Sequence, residues 1–153
     1  MFDQRTLTSL FILFAFASQA LLLFNFAALK WKPEIQHAWG WIVYASGLVA
    51  LALGFLFLAE AQAWYYWLAC FLFAVWTLFG YVVDILRPVN WRNPILWQIF
   101  IPYLALYISA QLAFWIPLWS IWPGYWIIYI VLYSVNTVLN ISTHPNFGKV
   151  ISH

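Results

Sequence analysis

Residues 84–94 hold Asp84, Arg87 and Arg92, three of the chain's few charged side chains, and they separate two long apolar runs. A polar hinge between apolar runs of this length restricts the fold severely. Each run has to be covered on all sides by apolar neighbours, which is the condition of helices that cross a membrane. Of the 153 residues, 67% are apolar and 7% are charged. Soluble domains carry about 25% charged residues, so this chain has too little polar surface to cover a soluble globule.

The apolar runs divide at prolines and polar clusters into five segments. The fold class expected is all-α: a polytopic integral membrane helix bundle with five transmembrane helices at about 7–29, 40–59, 64–86, 94–116 and 122–141, in one transmembrane domain covering residues 1–153. The opening of the first segment, with Ala15, Phe16 and Ala17, has the look of a signal peptide. Its apolar stretch continues through Leu21, Leu22, Leu23 and Phe24, long enough at about 1.5 Å per residue to span a hydrocarbon core of about 30 Å, and it is read as a retained helix. Residues 30–37 are polar, carry Pro33, and read as a loop flanked by Trp31, Trp39 and Trp41 as interface anchors. Residues 117–124 read as a short uncharged turn, and Asn93-Pro94 as a cap followed by proline at the first helical position. Pro102, inside the fourth segment, predicts a kink near Gln98.

Five spans place the loops alternately on two sides. One side carries only Arg5, and the other carries Lys30, Lys32, Arg87, Arg92 and Lys149. The excess of basic residues predicts the N-terminus outside and the C-terminus in the cytoplasm, in what reads as a prokaryotic inner membrane. Twelve Trp, nine Tyr and 14 Phe suit a protein with much of its mass near two interfaces.

Within the spans, spacing marks inward faces. Gly40, Gly47 and Gly54 recur every seven residues and predict a seam where a neighbouring backbone approaches closely. Cys70, Thr77 and Asp84 share one face of the third span, which has to look inward because a lipid-facing carboxylate is costly. Cys70 is the only cysteine, so it forms no intramolecular disulfide, and in its apolar setting it reads as a small buried hydrophobe. Tyr103, Tyr107 and Gln111 form a polar-edged stripe on the fourth span, and Tyr129, Tyr133, Asn136 and Asn140 form one on the fifth. These seven residues are the candidate binding groups for an unknown cofactor or ligand. Asn136 and Asn140 are expected to contact Tyr107, Gln111 or that ligand, because an unpaired amide in hydrocarbon is unfavourable by several kcal/mol.

The cytoplasmic ends bring Asp84, His37 and His144 into consideration as metal or haem ligands, although no pair among them has a ligand spacing. A pairing of Asp84 with Arg87 one helical turn on is the plainer account of that carboxylate. No phosphate loop, nucleophile elbow or His-Glu-x-x-His run is found. A net charge of +2 gives no electrostatic basis for binding nucleic acid.

Five spans in 153 residues, many tryptophans, an external N-terminus and an internal C-terminus resemble the tryptophan-rich sensory protein (translocator protein) family. Lys32-Pro33 before the second span, Trp41 with Tyr44 and Gly47, and Leu139-Asn140 near the end of the fifth are similar to that family's pattern. The chain departs from it in lacking the longer first loop with a Trp-x-Pro-Pro run and the Gln and Asn-Trp pattern of the third helix. The resemblance implies binding of a porphyrin or sterol-like lipophile within the bundle.

Two main classes of function remain open. The chain is expected to be a non-catalytic helical subunit of a larger membrane complex, with other transmembrane subunits or further copies of itself as partners beside membrane lipids. The alternative is a binding or sensing protein for a lipophilic small molecule such as a porphyrin, sterol, pigment or lipid, supported by the stripes of the fourth and fifth spans. A small transporter is a third reading.

Overall fold

The computed structural model describes residues 2–87, 89, 91 and 95–143, and every regular element among them is helical. Helix α1 is Gln4–Trp31, α2 Pro33–Trp39, α3 Trp41–Ala59, α4 Trp64–Tyr81, α5 Trp97–Ala113, α6 Trp115–Ile121 and α7 Pro123–Ser142. These make five helical stretches long and apolar enough to cross a membrane: α1, α2 with α3, α4 with the turn that follows it, α5 with α6, and α7. Each packs on its neighbours in sequence, and α1 packs on α7, so the five stretches close into a ring.

Local chemistry sets the ends. The Asp3 carboxylate accepts a hydrogen bond from Thr6 N at 3.0 Å and caps α1, and the bonding to Thr6 holds that carboxyl below its ordinary range. Pro33 stands at the first position of α2 and Pro123 at that of α7, where no amide donor is needed. Residues 30–37, expected as a loop, are therefore largely helical. Pro33 starts a helix there, and Glu34 lies in its favourable first turn. The turn expected at 117–124 is likewise mostly helix α6. Pro117 has no N–H to offer the Ala113 carbonyl, so α5 ends at Ala113. As third residue of α6, Pro117 falls among the positions whose N–H has no helical partner, and the chain re-enters a helix. The fourth stretch begins at Trp97 and ends at Ile121, later at both ends than expected, and Asn93-Pro94 lie outside the described residues. Helix α5 runs unbroken across Pro102, which is exposed on its outer face.

Between α3 and α4 the chain turns in residues 60–63. Ala61 takes φ 50°, with Gln62 N bonded to Phe57 O at 2.9 Å and Ala61 N to Leu58 O at 3.1 Å. These are the two bonds of a Schellman cap, here with alanine in the position that favours glycine. The other end of α4 widens into a π-helix, Val82–Leu86, closed by Arg87 N to Val82 O at 2.8 Å.

The expected glycine seam lies between α3 and α4. A Cβ on Gly47 would stand 2.0 Å from Thr77 Oγ1, and one on Gly54 would stand 2.6 Å from the Phe71 ring. Gly40 departs from the seam, because its nearest atoms belong to Gln36 one turn back in its own chain. On the facing helix Cys70 and Thr77 are fully buried and Asp84 is half-buried, so their shared face points inward.

The half of the bundle near residues 60–63 is filled by aromatic rings drawn from all five stretches. Phe11 meets Phe57 at 5.9 Å, Tyr66 at 4.9 Å and Phe114 at 5.4 Å, and Phe114 stacks on Tyr129 at 5.8 Å. Phe73 closes the group at 6.1 Å from Phe114. Edge-to-face and stacked pairs of this kind add to the packing of the rings.

Candidate functional site

Toward the other end of the bundle the packing opens into a cavity of about 850 Å³, with lining residues from every one of the five stretches. Its apolar wall includes Leu22, Phe26, Val43 and Phe100, and its polar lining includes Asn25, Gln36, Tyr44, Thr77, Thr137 and Asn140. A volume within about 300–1,000 Å³, mostly apolar with a few polar groups, is that of a small-molecule site.

The mouth is organised by Asp84. The π-helix carries its carboxylate to where Oδ2 accepts from Tyr44 OH at 2.5 Å and Oδ1 accepts from Trp91 Nε1 at 2.9 Å. The carboxylate thereby joins the second stretch, the third and the connection after it. A one-turn pairing with Arg87 would tie nothing outside its own helix. Trp91 is 2% exposed and its ring lies 5.0 Å from that of Tyr103, so the hinge folds an indole into the bundle beside the cavity.

Beneath the cavity lies a buried amide network. Gln19 Nε2 donates to Gln111 Oε1, which also accepts from Tyr129 OH at 2.8 Å. Asn136 Nδ2 donates to Gln19 Oε1 at 2.7 Å and to Gln19 O at 3.1 Å. Gln19, Gln111, Tyr129 and Asn136 are all 0% exposed; Gln111 Nε2 and Asn136 Oδ1 have no hydrogen-bond partner in the protein, and the bonds that are made tie together α1, α5 and α7.

The structure divides the residues singled out in the sequence into three groups. Tyr103, Tyr107, Asn140, Asp84 and His37 line the cavity. Gln111, Tyr129 and Asn136 belong to the network below it. Tyr133 is half-buried between the rings of Tyr107 at 6.1 Å and Trp115 at 6.3 Å. Of the stripe expected to contact Tyr107, Gln111 or a ligand, Tyr133 meets the Tyr107 ring, while Asn136 hydrogen-bonds to Gln19. Helix α7 packs on α1, and Gln19 stands between Asn136 and Gln111. His144 lies outside the described residues, and among these no group of three or more His, Cys, Asp or Glu is placed to hold a metal.

Gln19, Asn25, Trp76, Thr137 and Trp91 were not signalled by the spacing arguments. Gln19 was open to the same rule that turned Asn136 inward, since it is a lone amide in the middle of an apolar run. Trp76 is 2% exposed, lines the cavity beside Tyr107, and gives its indole N–H to no acceptor in the protein. The Tyr107 hydroxyl, in a residue 3% exposed, also has no hydrogen-bond partner.

Comparison with known proteins finds no family model, no curated protein and no solved structure that matches this chain. The likeness to the translocator protein family therefore remains one of general architecture and of a few residues.

Proposed function

We propose that the chain is a multi-pass integral membrane protein that binds a lipophilic small molecule in the cavity between its five spans. The observation that carries this reading is the cavity itself: about 850 Å³, walled by apolar side chains from every span, with polar groups among them. The basic residues Lys30, Lys32 and Arg87 belong to the end of the bundle where Asp84 and His37 line the cavity, which supports a cytoplasmic mouth and an external N-terminus. A chain that served only as a helical subunit of a complex would need no such space, and tight packing would stabilise it further.

The test is purification of the full chain in mild detergent, followed by mass spectrometry of extracted small molecules and by absorbance. A lipophile held at one per chain is expected. Leu104→Trp, at a cavity-lining position 38% exposed, should occupy the space and lose that molecule while leaving thermal stability intact. Partner subunits in fixed ratio, with no bound small molecule in either form, would favour the complex-subunit reading instead.

A further inference from the structure

We infer that the cavity opens sideways into the bilayer through a slot between α5 and α7, and that its occupant is a hydrocarbon chain of a phospholipid from the leaflet on the Asp84 side. This rests on the ligand-binding reading above. Helix α5 packs on α4, α7 packs on α1, and both pack on α6, but among the described residues α5 and α7 hardly pack on each other. They are joined where Tyr129 OH donates to Gln111 Oε1 at 2.8 Å, and where the Tyr107 ring lies 6.1 Å from that of Tyr133. Nearer Trp97 and Ser142 the two helices line the cavity from either side, with Leu104 on one and Ile141 on the other. Leu104 is 38% exposed and Ile141 51%, so the lining of the cavity is here also outer surface.

The helical faces agree with this. On α5, Tyr103 packs on Trp76 and Trp91, Tyr107 lies between Trp76 and Tyr133, and Leu104 comes next round the helix, away from α4 and toward α7. On α7, Asn136 bonds to Gln19 of α1, Tyr133 faces Tyr107, and Ile141 follows in the same sense, toward α5. Depth then selects what enters. Helix α5 starts at Trp97, an exposed ring suited to the interface, and Leu104 lies about 10 Å further along the axis, within a hydrocarbon core of about 30 Å. Lipid chains surround the protein at that depth. Neither α5 nor α7 carries a charged residue, so a charged head group finds no partner in the slot and stays at the interface. Lipid tails are as apolar as leucine, so a chain that turns inward exchanges one apolar setting for another. It gains contact with the cavity wall, whose atoms forfeit attraction wherever they face a void.

The experiment uses the full chain in phosphatidylcholine nanodiscs that contain a tracer phosphatidylcholine with a photoreactive diazirine near the end of one acyl chain. After illumination the labelled residues are mapped by mass spectrometry, and small molecules extracted from the unilluminated protein are identified alongside. Leu22 and Tyr107, 1% and 3% exposed, line the cavity and are screened from the surrounding lipid, so label on them reports a chain inside. Leu104→Trp and Ile141→Trp, at the two rims of the slot, should each lower that interior label about ten-fold by obstructing it. Ile85→Trp, at an exposed cavity-lining position near Asp84, should change it by less than about two-fold. Label on Val138, on the outer face of α7, and the unfolding temperature should stay the same in all three. Interior label that falls in Ile85→Trp and not in the rim variants would place the entrance at the Asp84 end and overturn the slot. Absence of interior label, with some other molecule extracted at one per chain, would overturn the inference and leave lipophile binding standing. A folded chain with neither interior label nor an extracted molecule would remove both readings.

Discussion

The two halves of the bundle use the same kinds of residue to opposite effect. Near residues 60–63, Phe11, Phe57, Phe73, Phe114 and Tyr129 are each no more than 1% exposed and meet ring to ring at the centre. Toward residues 84–91, Trp76, Trp91, Tyr103 and Tyr107 also pack side by side, yet they form one wall of an open space. The difference lies in what stands opposite. In the closed half every span offers a ring. In the open half α1 and α7 answer, apart from Phe26, with Leu22, Asn25, Leu29, Thr137 and Asn140, which are too small to reach across. Side-chain size at facing positions is enough to turn a filled core into a cavity, with the amide network as the boundary between them.

The largest effect expected from breaking this contrast is at Phe114. Its ring contacts Phe11, Phe14, Phe73 and Tyr129, so Phe114→Ala should destabilise the bundle by about 3–5 kcal/mol through the void it leaves. Leu104→Ala, beside a space that already exists, should change stability by less than about 1 kcal/mol. Thermal unfolding of both variants in one detergent checks the pair. Equal losses would mean that the two halves are packed alike.

Next in size is the seam that both halves share. Gly47→Leu would drive a side chain into Thr77, whose Oγ1 lies 2.0 Å from the position of an added Cβ, and overpacking of this kind destabilises by about 1–3 kcal/mol. Unfolding and assembly in detergent report it. A variant as stable as the parent would mean that α3 and α4 can move apart freely.

The boundary is tested by the amides. Gln19→Leu removes the group that bonds to both Gln111 and Asn136, and should destabilise by about 1–2 kcal/mol. Asn136→Leu removes an end of the chain of bonds and should be milder, about 0.6–1 kcal/mol. The order of the two is the sharper part of the expectation. A reversed order would relocate the centre of the network to Asn136.

How far the sequence discloses this arrangement depends on what kind of fact is asked of it. Hydropathy locates the five helical stretches, and the spacing rule turns Tyr107, Gln111, Tyr129 and Asn136 inward, where they are found. Periodicity reports which face of a helix is buried, but not which residue of another helix it meets. Gln19 and Asn136 are 117 positions apart, and their pairing follows only from the contact of α1 with α7. The cavity is hidden for the same reason, since it is a property of facing side chains from five stretches. Trp91 was masked by a correct general rule: tryptophans gather at interfaces, and nothing local distinguishes one that Asp84 draws inside. Pro33 and Pro117 misled as helix breakers, because a proline near the start of a helix is tolerated.

The smallest expected effect concerns the two connections that flank α4. The open half is joined through side chains, Asp84 holding Tyr44 and Trp91, whereas the closed half turns at residues 60–63 through the two backbone cap bonds, with the Gln62 side chain bonded to Gln4 and the Glu60 carboxylate accepting from Phe2 N at the surface. Ala61 adopts φ 50° there, a left-handed conformation in which a Cβ crowds the following carbonyl. Ala61→Gly removes that crowding while keeping both cap bonds, and the freer unfolded chain of glycine offsets part of the gain. A net stabilisation of about 0.5 kcal/mol is expected, read as a small rise in unfolding temperature with unchanged binding in the cavity. Ala61→Val at the same exposed position should shift stability the other way, because a β-branched side chain is the least suited to positive φ. If glycine destabilised and valine did not, the turn would not be held in the left-handed form, and the backbone account of the closed half would fail at its simplest point.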